Sequence, residues 1–127
     1  MKIARIESFA LRFDYERGFE YAGGKCTGRV TNIVRVHTDN GLIGIGSAYT
    51  YPGLAHLIIK QQLEPLLIDE DATDVERIWD CMYRITRWYG RKGVAMSAIG
   101  ALDTALWDLR GKDAEKPVWK LLSGKSS

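Results

Sequence analysis

The order of its periodicities predicts that this chain is an α+β domain, a three-stranded antiparallel meander sheet followed by a three-helix bundle. Three observations carry the prediction. Three segments within the first 48 positions, about 2–13, 29–38 and 42–48, have strand-like patterns, and apolar residues recur at three and four residues from Pro52 onward. Asn40-Gly41 sits between two β-forming runs, which marks a hairpin. Strands that all precede the helices point to separate layers rather than alternating β-α units.

The first strand is expected over about 2–13, with Phe9, Leu11 and Phe13 on one alternating face. The second covers about 29–38, where Val34 and Val36 alternate with Arg35 and His37, and the third about 42–48. Asp39-Asn40-Gly41 joins them, because Asn and Gly both tolerate positive φ. Two stretches fit neither period and read as loops. The first, Asp14 to Gly28, contains Gly18, Gly23, Gly24 and Gly28 and is long for a hairpin connection. The second runs from Ser47 to Pro52.

The first helix is expected over about 52–63, with Leu54, Leu57, Ile58 and Gln61 on one face and Pro65 ending the run. Thr73-Asp74-Val75-Glu76 has the pattern of a capping box. It precedes a helix over about 73–88, whose apolar stripe is Val75, Ile78, Trp79, Met82 and Ile85. Gly90-Arg91-Lys92-Gly93 breaks the pattern. The third helix, about 94–111, carries Ala95, Ala98, Ile99, Leu102, Ala105, Leu106 and Leu109 in one stripe. Ala101 and Trp107 lie off it. Either this helix is central in its own domain, or it packs on a surface outside the chain.

The 127 residues fit one domain, and 46% hydrophobic residues suffice for a core. Eighteen basic against 16 acidic residues leave a formal charge of +2, scattered rather than blocked. That balance gives no reason to expect nucleic acid or an anionic membrane as partner. No stretch approaches the roughly 18 apolar residues of a membrane span. Met1 to Glu7 lacks the apolar core of a signal peptide. Cys26 and Cys81 form no CxxC motif and read as reduced thiols, as expected of a cytoplasmic protein.

The segment Ala98-Ile99-Gly100-Ala101-Leu102-Asp103-Thr104-Ala105-Leu106-Trp107-Asp108-Leu109-Arg110-Gly111-Lys112, continued by Pro117-Val118-Trp119-Lys120-Leu121-Leu122, resembles the signature of the mandelate racemase/muconate lactonizing enzyme family of the enolase superfamily. Ser123 departs from it, standing where the family usually has the first of two glycines. The hairpin from Val34 to Gly46 is similar to the family's second hairpin, although Ser47 stands where many relatives carry Glu. Gly90-Arg91-Lys92-Gly93 resembles the acid-sugar dehydratase branch.

The resemblance implies a capping N-terminal domain over 1–127, set over the mouth of a TIM-like barrel absent from this chain. It implies removal of the proton α to a carboxylate, with Mg²⁺ held by the barrel and none bound here. The full-length parent is thus expected to be a Mg²⁺-dependent lyase acting on an acid sugar. A racemase/epimerase or cycloisomerase of the same family is the alternative, as is a non-catalytic stand-alone module. The expected partners are the chain's own barrel domain, a small carboxylate substrate and, in a homo-oligomer, further copies. No catalytic residue is expected in these 127 residues.

The resemblance implies two substrate-enclosing segments, which map to about Asp14–Gly28 and Ser47–His56. Tyr21, Lys25 and Tyr49 are the leading substrate-binding candidates, with Tyr15, Phe19 and Tyr51 beside them. Arg17, Thr27 and Thr50 add a cation and hydroxyls, which a polyhydroxy acid requires. Taken singly, each reads first as an ordinary loop residue, with the aromatics pinning the loops to the sheet. His37 and His56 have no ligand at metal-binding spacing, and Asp69-Glu70-Asp71 reads as a solvated turn before a helix. Asp103 and Asp108, five apart on a helix, point about 140° apart and are read as structural rather than as a shared site. Asp108 and Lys112 form an i,i+4 pair.

Overall fold

In the computed structural model, which describes residues 1–49 and 51–123, three strands form one antiparallel sheet in the order β1-β2-β3. β1 is Ile3–Tyr21, β2 Gly24–Thr38 and β3 Ile43–Ala48. The meander is as expected, but its first hairpin is much longer than the periodicity indicated. Residues 14–28 are not a loop. They are the outer half of that hairpin, in which Asp14 pairs with Gly28, Phe19 with Cys26 and Tyr21 with Gly24. Between the first two pairs the register shifts, so residues 15–18 face Thr27 alone. A bulge of this size breaks the period-two signal, which is why the segment reads as irregular.

The second hairpin closes through three residues rather than two. Gly41 N–H donates to the Thr38 carbonyl at 3.1 Å, and Thr38 N–H to the Leu42 carbonyl at 3.0 Å. Of the turn residues only Gly41 has positive φ, at 87°. Asn40 contributes its side chain instead, accepting from the Thr38 hydroxyl at 2.6 Å.

α1 (Pro52–Ile58), a π-helical turn (Ile59–Leu63) and α2 (Glu64–Leu67) follow one another in unbroken helical backbone. Pro65 does not end the run, because in the first turn of α2 it forfeits no needed N–H bond. The wide turn also resets the buried face. Ala55, Ile59, Leu63 and Leu67 are buried, four apart throughout, whereas Leu54 and Leu57 are exposed. The expected face of this helix was therefore wrong.

α3 is Val75–Ile85, and the expected capping box does not form. The N–H and hydroxyl of Thr73 both turn back to Asp71 Oδ1, at 3.0 and 2.9 Å. At its C-terminus the Thr86 hydroxyl and N–H both donate to the Met82 carbonyl, at 2.9 and 3.3 Å. Ile85 is left exposed. The acidic turn before α3 ties the sheet to the helices: Ile3 N–H donates to the Glu70 carbonyl, and Asp69 N–H to the Ile3 carbonyl, both at 2.9 Å.

α4 (Val94–Asp113) is the central element, and the short α5 (Val118–Ser123) adds a helix beyond the three expected. Sheet residues Ile3, Ile6, Val34 and Val36 and helical residues Ile59, Leu63, Ile99, Leu102, Leu106 and Leu109 form one core. β3 lies directly on the α4 backbone. A Cβ on Gly46 would stand 1.9 Å from the Ala101 carbonyl oxygen, and one on Gly44 2.1 Å from that of Ala105. This close approach gives Ala101, which lies off the main stripe, a buried place against β3. Trp107 is half-buried under the Arg110 guanidinium, 4.8 Å from its ring centre. Among the described residues, no helix is long and apolar enough to cross a membrane.

Candidate functional site

The first hairpin leaves the core early. Ile6 is the last buried residue of β1, and every side chain from Phe9 to Asp14 is exposed. Beyond this point the arm is held by strand pairing rather than by packing, so its side chains are available to something else. Four aromatic rings along β1 form a ladder. Phe13 to Tyr15, Tyr15 to Phe19 and Phe19 to Tyr21 have centroids 6.0, 6.1 and 6.4 Å apart. These spacings suit aromatic pairs, which stiffen an otherwise two-stranded arm.

Tyr21 and Lys25, from opposite strands of the arm, line one depression together with Arg12 and Thr27. Two cations and two hydroxyls at one place can hold a carboxylate and neighbouring hydroxyls. Arg12 was not singled out from sequence, since it falls inside a predicted strand. Its Nε also donates to Asp14 at 2.7 Å. Tyr15 and Phe19 belong to the ladder and not to this depression.

Tyr49 stands apart, at the end of β3. The Arg29 guanidinium lies over its ring, 5.0 Å from the centroid. Sequence reasoning also missed Arg29, whose relation to Tyr49 exists only once the hairpins pair. Tyr51 precedes α1 and is largely exposed. Thr50 lies outside the described residues. The structure thus joins Tyr21 with Lys25, and Tyr49 with the base of the arm, without bringing all six candidates into one pocket.

The remaining titratable groups are occupied elsewhere. His37 Nε2 donates to Glu7 Oε2 at 2.7 Å. This bond, aided by the charges of Arg5, His37 and Arg35 against slight desolvation, holds the Glu7 carboxyl below its usual range. Asp71 is held low by the hydrogen bonds from Thr73. His56 is half-buried, with its Nδ1 unpartnered among the described residues. Asp103 and Asp108 do line the same open groove, with Trp107, Val118 and Leu122, contrary to the helical-wheel expectation. A groove spanning α4 and α5 is wide enough for residues 140° apart to border it.

Asp108 is committed there to structure, accepting from Ile45 N–H at 2.9 Å and Lys112 Nζ at 2.7 Å. Asp103 is pushed up by burial. Among the described residues no three His, Cys, Asp or Glu side chains gather as a metal ion requires. The described residues do not fit magnesium. Cys26 and Cys81 are free thiols.

Comparison with known proteins gives the same architecture a family. Residues 16–123 match the family described as mandelate racemase / muconate lactonizing enzyme, N-terminal domain. The structure of an enolase-superfamily member from Polaromonas sp. JS666 superposes with a TM-score of 0.89 at 34% identity, covering 96% of this chain and 33% of that one. A racemase from Streptomyces coelicolor A3(2), solved with bound magnesium, gives 0.89 at 32% identity over 94% of this chain and 34% of that one. In sequence, the arabinonate dehydratase of Saccharolobus solfataricus is 42% identical over 91 residues, which are 70% of this chain and 24% of the relative. The chain therefore spans about a quarter of that relative and a third of those solved chains.

Proposed function

The chain belongs to the family of mandelate racemase / muconate lactonizing enzyme N-terminal domains, and from that premise we propose that it caps the active site of an acid-sugar dehydratase. The observation that carries this reading is the outer arm of the first hairpin. It stands clear of the core and presents Tyr21, Lys25, Arg12 and Thr27 around one depression. Those groups suit a small polyhydroxy carboxylate, with the cations facing the acid and the hydroxyls the sugar. Tyr49, held by Arg29 at the base of the arm, contributes a second contact from the other segment.

The proposed reaction begins by removing the proton α to the carboxylate, and the β-hydroxyl then leaves as water with help from a general acid. The likeness to N-terminal domains of this family, and to a racemase solved with bound magnesium of which this chain covers a third, supports assigning the base, the acid and a magnesium ion to residues outside this chain. What this chain supplies is enclosure. Excluding water strengthens every charge interaction inside the closed site. The dehydratase assignment draws on the likeness to arabinonate dehydratase. The likeness to a racemase supports a second reading, in which the same α-proton is removed and returned without loss of water.

The test is to express the full-length gene product and screen a panel of acid sugars with Mg²⁺. Formation of a 2-keto acid is expected for at least one of them. α-Proton exchange in D₂O with inversion but no dehydration would select the racemase reading. An enzyme that neither dehydrates nor exchanges any member of the panel would refute both.

A further inference from the structure

Three residues of β2 contact the chain where it leaves β3 and where it enters α1. Arg29 covers the Tyr49 ring at 5.0 Å. The Thr31 hydroxyl donates to the Ala48 carbonyl at 3.2 Å. Asn32 Nδ2 donates to the Pro52 carbonyl at 3.3 Å, and its Oδ1 accepts from the Ser8 hydroxyl of β1 at 3.0 Å. The β2–β3 ladder ends here, its last pair being Asn32 with Ala48. Side chains therefore take over where backbone pairing stops. Asn32 is fully buried, and its amide spans β1 and the start of α1. A buried amide satisfied on both sides is expensive to misplace, so it fixes geometry rather than merely decorating it.

We infer that Arg29, Thr31 and Asn32 are positioning residues that register Tyr49 against the first hairpin, so that both capping segments meet the substrate at one set distance. The inference rests on the capping function proposed above. β1 and β2 form the arm that carries Tyr21 and Lys25, and β2 also carries the three clamping side chains. A displacement of either segment is thus transmitted to the other through β2. Misplacing a contact by about 1 Å costs a large part of its effect on a bound substrate.

The experiment uses the full-length protein and the variants Arg29→Gln, Thr31→Val and Tyr49→Leu. Asn32→Leu is left out of the decisive set because it endangers folding. Hydrogen exchange is read at the amides of Leu54 and Ala55, which donate to the Tyr51 carbonyl at 2.9 and 3.1 Å, without substrate. Arg29→Gln and Thr31→Val are each expected to speed exchange there by roughly two- to fivefold, the range of a surface cation–π contact or a single hydrogen bond. Arg29→Gln combined with Tyr49→Leu should exceed neither single change by much, since both remove the same contact.

In turnover, KM for the acid sugar should rise while kcat changes less, and preference among sugars of different chain length should alter. Unchanged exchange at these amides in both Arg29→Gln and Thr31→Val would overturn the clamp. So would fully additive effects of Arg29→Gln and Tyr49→Leu, or faster exchange with sugar preference untouched. A parent protein that turns over no acid sugar would instead defeat the capping function, and the exchange data would still judge the contacts themselves.

Discussion

Lys25 and Glu7 show how differently two charges on one hairpin can act, one exposed and one half-buried. Lys25 sits on the free arm beside Tyr21, Arg12 and Thr27, and nothing in the core depends on it. Lys25→Met in the full-length enzyme is expected to lower kcat/KM about tenfold or more, the worth of a hydrogen bond to a charged group. Its unfolding free energy should stay within about 0.5 kcal/mol of the parent. A loss of stability matching the loss of activity would place Lys25 in the fold instead.

Glu7 is the reverse case. Its carboxyl is held below the ordinary 4.5 first by the bond from His37. A depressed folded-state pKa contributes stability that is complete above the unfolded value and fades as pH falls through the folded one. Glu7→Gln removes that contribution. Its stability should therefore decline less steeply than the parent's between roughly pH 5 and pH 3, measured by urea unfolding across that window. Parallel decline in both proteins would show that Glu7 is not the group responsible.

At the scale of elements, the helical rod from Pro52 to Leu67 makes the sharpest contrast. Its buried residues are spaced by four, a consequence of the π-helical turn. Leu63→Ala is expected to cost about 2–5 kcal/mol, as for a filled core position, and Leu57→Ala no more than about 0.5 kcal/mol. Equal costs, read from denaturant midpoints, would restore the regular face. Sequence periodicity could not see this, because Leu54, Leu57, Ile58 and Gln61 match a regular helix better than the true face does. The same logic separates the other elements. α4 and the β2–β3 hairpin were legible because each obeys a single period, and Gly41 is unambiguous. The outer arm was not, because its register shift opposite Thr27 erases alternation. Tyr21, Lys25 and Tyr49 could be chosen from their chemistry and loop position. Arg12 and Arg29 could not, since their relevance lies in what strand pairing brings beside them.

For the molecule as a whole, the division between foundation and arm governs what the chain can do alone. The described residues gather no metal-binding group, and they span about a quarter of the length of arabinonate dehydratase. On the capping function proposed above, the purified 127-residue chain is expected to turn over no acid sugar, even in excess Mg²⁺. Metal-dependent dehydration by this chain alone would contradict the assignment of the base and metal elsewhere.

The free-standing arm has one more consequence. Its outer residues touch little that the core needs, so replacing them carries almost no folding penalty. A lineage could therefore exchange Tyr21, Lys25 or Thr27 one at a time, each step leaving a well-folded ancestor for the next. Selection for a new ligand at the arm would act on a part already insulated from the selection that preserves the fold.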